Sequence, residues 1–542
     1  MKTKVFVTTT ICTLLMLVMV AMGQGKRQDV IWARSTVGAA ITLDGKLDEP
    51  AWANAEMVRL QYGKDAGIPG SGWRSEGGSA PSDPLDATLK FLVAGNQLYL
   101  GITAKDSSIG GGGFNQFDAV LMNLRRKNEP PNHGAFEYFL AWWDLNPSTV
   151  LKGALPAFFG PAGDRTKPEN VDAWDAVTTV QGITNSDTAA DQGYVMEFRL
   201  NLTPRGYDVT KPTGDILSFN ISLYDGDWQW PLNQQKFSRN RTWFQGPFSD
   251  AIFNTVRIHA RPDVTINSGP VPDIPPELII PNAEHHAAPV IDGNLTEAVW
   301  QNAPSFDVKY GDLTVRATYP SIGPIASGQF QPDIGGARAF VQDPGNATFK
   351  YFFKGDMLYI GADVRDKGVW SIPTENQWDG IRFTIIDRAT PDPVEHRLVG
   401  RSLFVRFDPA GNLVAEEDLK TFLNKGVKAG VKMKPGTTIN NFNDVDQGFF
   451  VELAIDLTKF GYSGSRGDGV VFIGATLYDG DSFANAADNY GNWAWWFKER
   501  ANRASPVWAF MDPNTFVPGG EPAARTRSDV IWARSTAGAA IT

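Results

Sequence analysis

The chain repeats itself, and this repeat restricts its fold more than any other feature of the sequence. Residues 44–55 (DGKLDEPAWANA) match residues 292–303 (DGNLTEAVWQNA), with Asp, Gly, Leu, Glu, Trp, Asn and Ala recurring in register. Further matches follow in the same order. They pair residues 87–106 with 347–366, 115–118 with 376–379, 194–197 with 449–452, and 223–227 with 477–481. Several matched blocks in one order predict two tandem modules with a common fold.

Proline and chain length indicate where these modules begin and end. The chain has 542 residues, whereas single cores stop growing at about 250 to 300 residues. Residues 267–276 (NSGPVPDIPP) are too rich in proline to pair in a sheet. We therefore expect module 1 at residues 28–262, a stiff linker at 263–276 and module 2 at 277–513. A second linker is expected at residues 514–528.

The last residues copy the first strand of module 1. Residues 529–542 (DVIWARSTAGAAIT) repeat residues 29–42 with one change, Val37 to Ala537. The simpler interpretation is the start of a truncated third module. The alternative is a strand that takes the place of the N-terminal strand in a neighbouring molecule, which would give head-to-tail self-association.

Alternating apolar residues predict strands throughout both modules. Apolar residues occupy every second position on both sides of Gly95-Asn96, and again on both sides of Gly355-Asp356. Period two around a two-residue turn is typical of a β-hairpin. Since long helical periodicity is absent from the sequence, the expected fold is all-β. We predict two tandem antiparallel β-sandwiches of jelly-roll or immunoglobulin-like type, preceded by a signal peptide.

The N-terminus indicates export. Residues 1–23 combine a basic start, an apolar run and the small residues of Ala21-Met22-Gly23, a pattern typical of a secretory signal peptide. The alternative is a membrane anchor, but the apolar run is short for a span of about 20 residues. We expect a secreted, periplasmic or cell-surface protein without membrane insertion after cleavage. The only cysteine, Cys12, lies in this segment, so the mature chain can form no disulfide.

Charge and residue usage disfavour several classes of function. The formal net charge is −10 and no run of Lys or Arg could follow a phosphate backbone, so nucleic acid is not an expected partner. The mature chain has no thiol nucleophile, only five histidines, and no pair of carboxylates that stands out as glycosidase-like. We expect no catalytic residues and no enzyme activity.

Four sequence blocks recur in order in both modules and carry a family resemblance. They are Asp-Gly-x-Leu-x-Glu-x-x-Trp, Leu-Tyr-(Leu or Ile)-Gly followed by Asp, (Phe or Trp)-Asp, and Tyr-Asp-Gly-Asp. In this order they resemble the family 9 carbohydrate-binding modules and the wider DOMON-like β-sandwich superfamily. The resemblance implies binding to polysaccharide or oligosaccharide, as an accessory to polysaccharide breakdown. Two copies would raise avidity if both engaged one polymer.

Tryptophan is the side chain expected to hold a sugar, because pyranose rings pack their C–H faces on flat aromatic surfaces. The resemblance implies a sugar held between two tryptophans, one of them late in the module. By position after Tyr-Asp-Gly-Asp, we match Trp243 with Trp496 and choose them as first candidates. Second candidates are Trp228, Trp230 and Trp495. The alternative for each is a place in the core.

Two other tryptophans have a different expected role. Trp52 and Trp300 belong to the opening motif of each module and are predicted to anchor the core. Asp44 and Asp292 are predicted to shape the adjacent turn.

Aspartates two positions apart indicate a cation site in each module. The pairs are Asp225 with Asp227 and Asp479 with Asp481. Carboxylate oxygens are ligands that calcium favours, and a bound calcium would have a structural role. Two carboxylates are too few alone, so distant partners such as Asp106 and Asp366 would be needed. A plain turn is the alternative.

Two other classes of function remain open. Haem-binding electron transfer, as in haem-carrying relatives of this sandwich, would need axial ligands, but the candidates do not recur at matched positions and haem is not expected. These candidates are Met122, Met196, Met357, His133 and His396. A structural or adhesive surface protein is the other class, and the repeat at residues 529–542 supports it.

Overall fold

A computed structural model covers the chain. It describes residues 27, 29–64, 70–111, 117–127, 136–143, 157–160, 163–164, 173–231, 233, 237–244, 256–309, 343–372, 378–462, 467–496, 499–500, 503–504 and 507–520. The predicted signal peptide and the repeat at residues 529–542 lie outside these residues. Within them, no helix is both long and apolar enough to cross a membrane.

Module 1 is built almost entirely of strands. Its described strands are β1 (Val30–Trp32), β2 (Arg34–Ser35), β3 (Glu56–Gln61), β4 (Gly72–Gly78), β5 (Asp86–Ala94), β6 (Gln97–Lys105), β7 (Ala119–Arg125), β8 (Phe136–Trp142), β9 (Ala157–Gly160), β10 (Gly163–Asp164), β11 (Trp174–Gln181), β12 (Gly193–Asn201), β13 (Asp215–Asp225), β14 (Ser238–Phe244) and β15 (Val256–Ala260). Its described residues also include the short helix α1 (Pro50–Ala53) and a 3₁₀ turn at Thr203–Arg205. The strands form two sheets. One has the order β1-β15-β13-β7-β8-β9-β10, with β14 between β13 and β4, and the other has the order β11-β12-β6-β5-β2, with β3 on β5.

Module 2 repeats this content in one larger sheet and a separate two-stranded sheet formed by residues 499–500 and 503–504. Its described strands are β16 (Leu278–Asn282), β17 (Ser305–Lys309), β18 (Asn346–Lys354), β19 (Met357–Arg365), β20 (Gly380–Asp387), β21 (Val399–Phe407), β22 (Leu413–Glu417), β23 (Val427–Met433), β24 (Phe449–Asp456), β25 (Val470–Asp481), β26 (Tyr490–Trp496), β27 (Glu499–Arg500), β28 (Arg503–Ala504) and β29 (Val507–Phe516). The short helices are α2 (Ala298–Asn302) and α3 (Leu419–Phe422), with 3₁₀ turns at Leu457–Phe460 and Ala486–Asp488. The sheet has the order β22-β21-β20-β25-β29-β16-β18-β19-β24-β23, with β17 on β18 and β26 on β25.

The all-β prediction is confirmed, and so are both hairpins. Ala94 pairs with Gln97 across the first predicted turn, and Lys354 pairs with Met357 across the second. The first strand of each module differs from the antiparallel expectation. β1 runs parallel to β15, and β16 runs parallel to β29 and β18.

A buried glutamate explains why the opening motif of each module needs its glycine. Glu197 accepts hydrogen bonds from the amides of Asp44 and Gly45, at 3.0 and 2.7 Å. Gly45 has a φ of +79°, and a Cβ there would lie 2.5 Å from Thr179 Cγ2. Glycine is therefore required both for the backbone conformation and for the close packing.

Module 2 builds the same turn with one more bond. Glu452 accepts from the amides of Asp292 and Gly293, at 2.9 and 2.7 Å, and also from Trp300 Nε1 at 2.8 Å. Trp52 and Trp300 are fully buried, so their prediction as core anchors is confirmed. The predicted turn is confirmed too, since Asp292 Oδ1 accepts from the amide of Asn294 at 2.9 Å. In module 1, Asp44 Oδ1 likewise accepts from the amide two positions later in the chain.

The two modules share part of their apolar core. The main cluster of module 1 includes six buried residues from the outer side of the module 2 sheet and its loops. These are Ile386, Leu398, Val470, Phe472, Trp508 and Phe510. Because this surface would face water without module 1, its burial stabilises the pair.

A buried ion network lies where the chain passes from one module to the next. Arg27 bonds both carboxylate oxygens of Asp29, at 2.8 and 2.6 Å, and Arg27 and Arg257 each lie 2.5 Å from Glu277. Glu277 also accepts from the amide of Trp508 at 3.0 Å. Two cations and two anions therefore balance in a buried place, where removing any one would leave an unpaired charge.

Candidate sugar and cation sites

Four buried aspartates meet at one end of the module 2 sheet. Asp366 follows β19, Asp379 precedes β20, and Asp479 and Asp481 lie on β25. Carboxylate oxygens of Asp366, Asp379 and Asp479 lie within 4.8 Å of one another. A second group at the same spacing combines Asp366 and Asp481 with Asp343. The fold therefore joins the predicted pair to the distant partner Asp366.

Asp366 Oδ2 and Asp481 Oδ2 are both buried in this cluster and have no hydrogen-bond partner among the described residues. Asp379 differs, because its oxygens accept from the amides of Trp370 and Gly480, at 2.6 and 2.8 Å. Asp379 thus fixes two loops, whereas the other two carboxylates direct unused acceptors into the cluster.

Burial and mutual repulsion dominate the electrostatics of the cluster. Burial, followed by the charges of neighbouring aspartates, raises the pKa of Asp366 well above its usual range. Burial and the charge of Asp479 raise the pKa of Asp481 to about 10. Buried carboxylates so close together need either protons or a cation to offset their charge.

Module 1 contains a related cluster. Asp118 accepts from the amides of Gly110 and Gly226, at 2.6 and 2.7 Å, as Asp379 does in module 2. Asp225 Oδ1 and Asp227 Oδ1 are buried and have no hydrogen-bond partner in the described part of module 1.

A hydroxyl and a raised pKa complete the module 1 cluster. The second oxygen of Asp227 accepts from Ser238 Oγ at 2.7 Å. Burial raises the pKa of Asp106 to about 7. No three-carboxylate group at the 4.8 Å spacing is found among the described residues of module 1.

These donors fit a hard divalent cation. Calcium takes six to eight oxygen ligands and favours carboxylates, and in module 2 Asp343, Asp366 and Asp481 converge on one space. The sequence reasoning missed Asp343, Asp118 and Asp379 as members of the clusters. The signal for the last two was available, because the (Phe or Trp)-Asp block recurs in both modules.

The two first-choice tryptophans are packed inside the protein. Trp243 is 1% exposed and its Nε1 donates to the carbonyl of Gly70 at 2.6 Å. Trp496 is 0% exposed and stacks on Phe306 with ring centroids 3.9 Å apart. A stacking platform must offer a ring face to the ligand, and neither ring does so in this structure.

Strand register corrects the match between these two residues. Trp243 pairs with Ser222, two positions before Tyr224. The residue that pairs two positions before Tyr478 is Trp495, opposite Thr476, so Trp495 rather than Trp496 occupies the place of Trp243. A shift of one residue exchanges the two faces of a strand. Trp496 therefore corresponds to Phe244, and both belong to apolar cores.

The second-choice tryptophans of module 1 are also buried. Trp228 is 5% exposed and stacks on Phe237 with centroids 4.9 Å apart. Trp230 is 8% exposed and lies 6.4 Å from Trp228. The side chain of Trp495 lies outside the described part of the structure.

The structure instead brings together an aromatic group that the sequence reasoning did not select. Trp378 stacks on Tyr478 with centroids 4.9 Å apart and an interplanar angle of 25°, and Trp493 contacts the same tyrosine at 5.5 Å. Tyr478 is buried, whereas both tryptophans are partly exposed. We call these three residues the tryptophan face.

Charged side chains border the tryptophan face. The guanidinium of Arg406 lies 4.5 Å from the centroid of Trp378, and that of Arg382 lies 4.8 Å from Tyr478. Arg406 is 3.5 Å from Glu416, and Arg382 bonds Glu417. The rings are thus surrounded by hydrogen-bond donors and acceptors that balance in charge.

The tryptophan face lies on the outer side of the sheet because of strand alternation. On β25, Ile473, Ala475 and Leu477 belong to the core. Successive side chains of a strand point to opposite faces, so Tyr478, which follows Leu477, points outward. β26 places Trp493 directly opposite Tyr478.

The haem-ligand candidates are scattered. Met122 and Met196 are buried in the module 1 core, and Met357 packs on a separate apolar cluster of module 2. His396 stacks on Trp73. The remaining candidate, His133, lies outside the described residues.

Comparisons with known proteins give weak likenesses only. No family model matches the chain, and no curated protein matches it. A family 9 carbohydrate-binding module from Caldicellulosiruptor kristjanssonii, solved with cellotriose, is 15% identical with a TM-score of 0.28, over 45% of this chain and 99% of that one. A structure of a family 9 module from the same organism, solved with glucose, is 15% identical with a TM-score of 0.28, over 46% of this chain and 100% of that one.

Proposed function

We propose that this protein is an exported, non-catalytic carbohydrate-binding protein and that the tryptophan face of module 2 holds its ligand. The observation that carries the proposal is the pair Trp378 and Trp493, two partly exposed rings in contact with one buried tyrosine. The protein would attach to polysaccharide and act as an accessory to its breakdown.

The chemistry of the tryptophan face suits a sugar ring. The C–H face of a pyranose packs on an indole ring, while its hydroxyls need donors and acceptors at the ring edge. Arg406 and Glu416 supply both beside Trp378, and both side chains are partly exposed. Because their charges cancel, this surface suits a neutral glycan better than a strongly charged one.

We propose further that calcium binds in the acidic cluster of module 2 and has a structural role. The residues that would hold it are Asp343, Asp366 and Asp481, with Asp479 beside them. Calcium would supply the positive charge that the buried oxygens of Asp366 and Asp481 lack. It would thereby fix the ends of β19 and β25, next to the strand end that carries Tyr478.

Binding measurements on the full mature chain test the sugar site. We would titrate cello-oligosaccharides, xylo-oligosaccharides and glucose by calorimetry, and measure retention on cellulose and xylan. We expect Trp378→Ala and Trp493→Ala each to weaken binding by about 30-fold, equivalent to about 2 kcal/mol for a central aromatic contact. Unchanged affinity in both variants would remove the tryptophan face from the site.

A matched control separates this effect from general loss of an aromatic ring. Phe516 is also an exposed aromatic residue of module 2, but it packs on His285 and not on Tyr478. We expect Phe516→Ala to bind like the unmodified chain. Failure of the unmodified chain to bind any of these glycans would overturn the proposed function and favour a structural or adhesive role.

A further inference from the structure

The face of module 1 that corresponds to the tryptophan face is covered by strand β4. β4 pairs with β14, which places Gly72 opposite Trp243 and Arg74 opposite Arg241. The carbonyl of Gly70 accepts from Trp243 Nε1 at 2.6 Å. The indole ring of Trp243 is therefore closed off by the backbone just before and within β4.

A turn of module 2 packs on the other side of the same strand. The amide of Trp73 donates to the carbonyl of Glu395 at 3.2 Å, and the carbonyl of Trp73 lies 3.1 Å from His396 Nδ1. The rings of Trp73 and His396 stack with centroids 4.7 Å apart and an interplanar angle of 12°. One residue of module 1 is thus held by two backbone contacts and a ring stack.

Gly72 shows how close the two modules approach. A Cβ at this position would lie 2.9 Å from Trp243 Cζ2 and 2.5 Å from the carbonyl oxygen of Glu395. Both distances are shorter than van der Waals contact. Only glycine allows the strand to lie between the buried tryptophan of module 1 and the turn of module 2.

Charge replaces aromatic surface at this place in module 1. Arg241 occupies the register position that Trp493 has in module 2, opposite the tyrosine of the Tyr-Asp-Gly-Asp block. Glu76 lies 2.9 Å from both Arg241 Nε and Arg74 Nε, and Arg74 reaches Glu395 at 3.4 Å. An ion network that extends into module 2 thus takes the place of an open stacking ring.

The turn of module 2 is held together by its own hydrogen bonds. Asp392 Oδ1 accepts from the amides of Val394 and Glu395, at 2.8 and 2.7 Å, and the carbonyl of Asp392 accepts from the amide of His396 at 2.9 Å. These bonds lie within residues 392–397 and do not involve β4, and such internal bonds lower the entropy cost of ordering a loop at a contact.

We infer that the outer face of module 1 is a docking surface for residues 392–397 of module 2, and that the chain therefore presents one sugar-binding face rather than two. The inference rests on the proposed function for its count of sugar sites. Its docking component stands on the contacts of β4 alone. Module 2 thus binds the glycan, whereas module 1 holds module 2 in place.

Calorimetry on the full chain tests the number of sites. We expect one equivalent of a soluble oligosaccharide to bind per chain, and Trp493→Ala to leave no second site of comparable affinity. Two equivalents per unmodified chain, one of which keeps its affinity in Trp493→Ala, would overturn the single-face inference. No binding in any arm would instead refute the proposed function, and the docking experiment below would still decide the docking component.

Hydrogen exchange tests the docking without any ligand. In the double variant Arg74→Ala/His396→Ala, we expect the amides of residues 72–78 to exchange at least tenfold faster than in the unmodified chain. His285→Ala is the control, since the His285 ring contacts Phe516 and not β4. Unchanged exchange at residues 72–78 in the double variant would overturn the docking inference.

Discussion

Modules 1 and 2 keep the same polar framework but differ on their outer faces. Asp118 and Asp379 each bridge two loop amides, and Glu197 and Glu452 each close the opening turn. Opposite the tyrosine that both modules share, however, module 1 has Arg241 where module 2 has Trp493. Buried polar groups are thus common to both modules, whereas residues on the outer face of the sheet can change role.

The acidic clusters differ in a second way. Module 2 brings Asp343, Asp366 and Asp481 to within 4.8 Å, while the described residues of module 1 contain no such group. We therefore expect a cation to stabilise the chain mainly through module 2.

Calcium removal should give the largest effect. At calcium concentrations about 1,000-fold above Kd, we expect the free energy of unfolding to exceed its value in EDTA by about 4 kcal/mol. Thermal and denaturant unfolding with and without calcium measure this difference. Asp366→Asn should abolish the calcium effect and Asp106→Asn should retain most of it. Loss of the calcium effect in Asp106→Asn but not in Asp366→Asn would contradict this prediction, because it would place the cation in module 1.

Replacing the opening-motif tryptophans should give a smaller and unequal effect. Trp300 Nε1 donates to Glu452 at 2.8 Å, whereas the buried Trp52 Nε1 finds no hydrogen-bond acceptor among the residues that the structure describes. Both Trp→Phe changes remove similar volume, but only Trp300→Phe leaves a carboxylate oxygen unpaired. We expect Trp300→Phe to cost about 1 to 3 kcal/mol more than Trp52→Phe. Equal unfolding midpoints for the two variants would contradict this.

The pH dependence of stability should show the finest difference. Burial raises the pKa of Glu197 and of Glu452 to about 7, above the ordinary value of 4.5. The folded state then holds more protons than the unfolded state between these values, so the free energy of unfolding falls as pH rises from about 4.5 to 7. Denaturant unfolding in EDTA across this range measures the slope.

Amide variants compare the two glutamates. Glu197→Gln should flatten part of the slope at little cost, because Glu197 Oε1 has no donor facing it. Glu452→Gln should also flatten the slope but destabilise the chain. The side-chain NH2 of the glutamine would have to face another donor, either Trp300 Nε1 or the backbone amides of the turn. A Glu197→Gln variant that loses more stability than Glu452→Gln would reverse this assignment.

The sequence predicted the strands well because alternation and turn chemistry are local. Both hairpins and the burial of Trp52 and Trp300 are as expected. The parallel pairing of β1 and β16 could not be predicted, since alternation carries no information about strand direction.

The sites were harder to predict because they depend on register. Trp495 and Trp496 are adjacent, so a match by sequence spacing could select either, and only the pairing with Thr476 and Ala475 decides. The aspartate pairs were found from their spacing, but their partner Asp343 lies far away in the chain and is joined to them only by folding.

The shared apolar cluster limits how this chain could exchange parts with other proteins. A recombination event that moved module 2 alone would expose Phe472, Trp508 and Phe510, which now pack in the cluster of module 1. It would also leave Glu277 without its arginine partners Arg27 and Arg257. Residues 27–520 should therefore be inherited as one piece, even though their sequence contains two copies of one module.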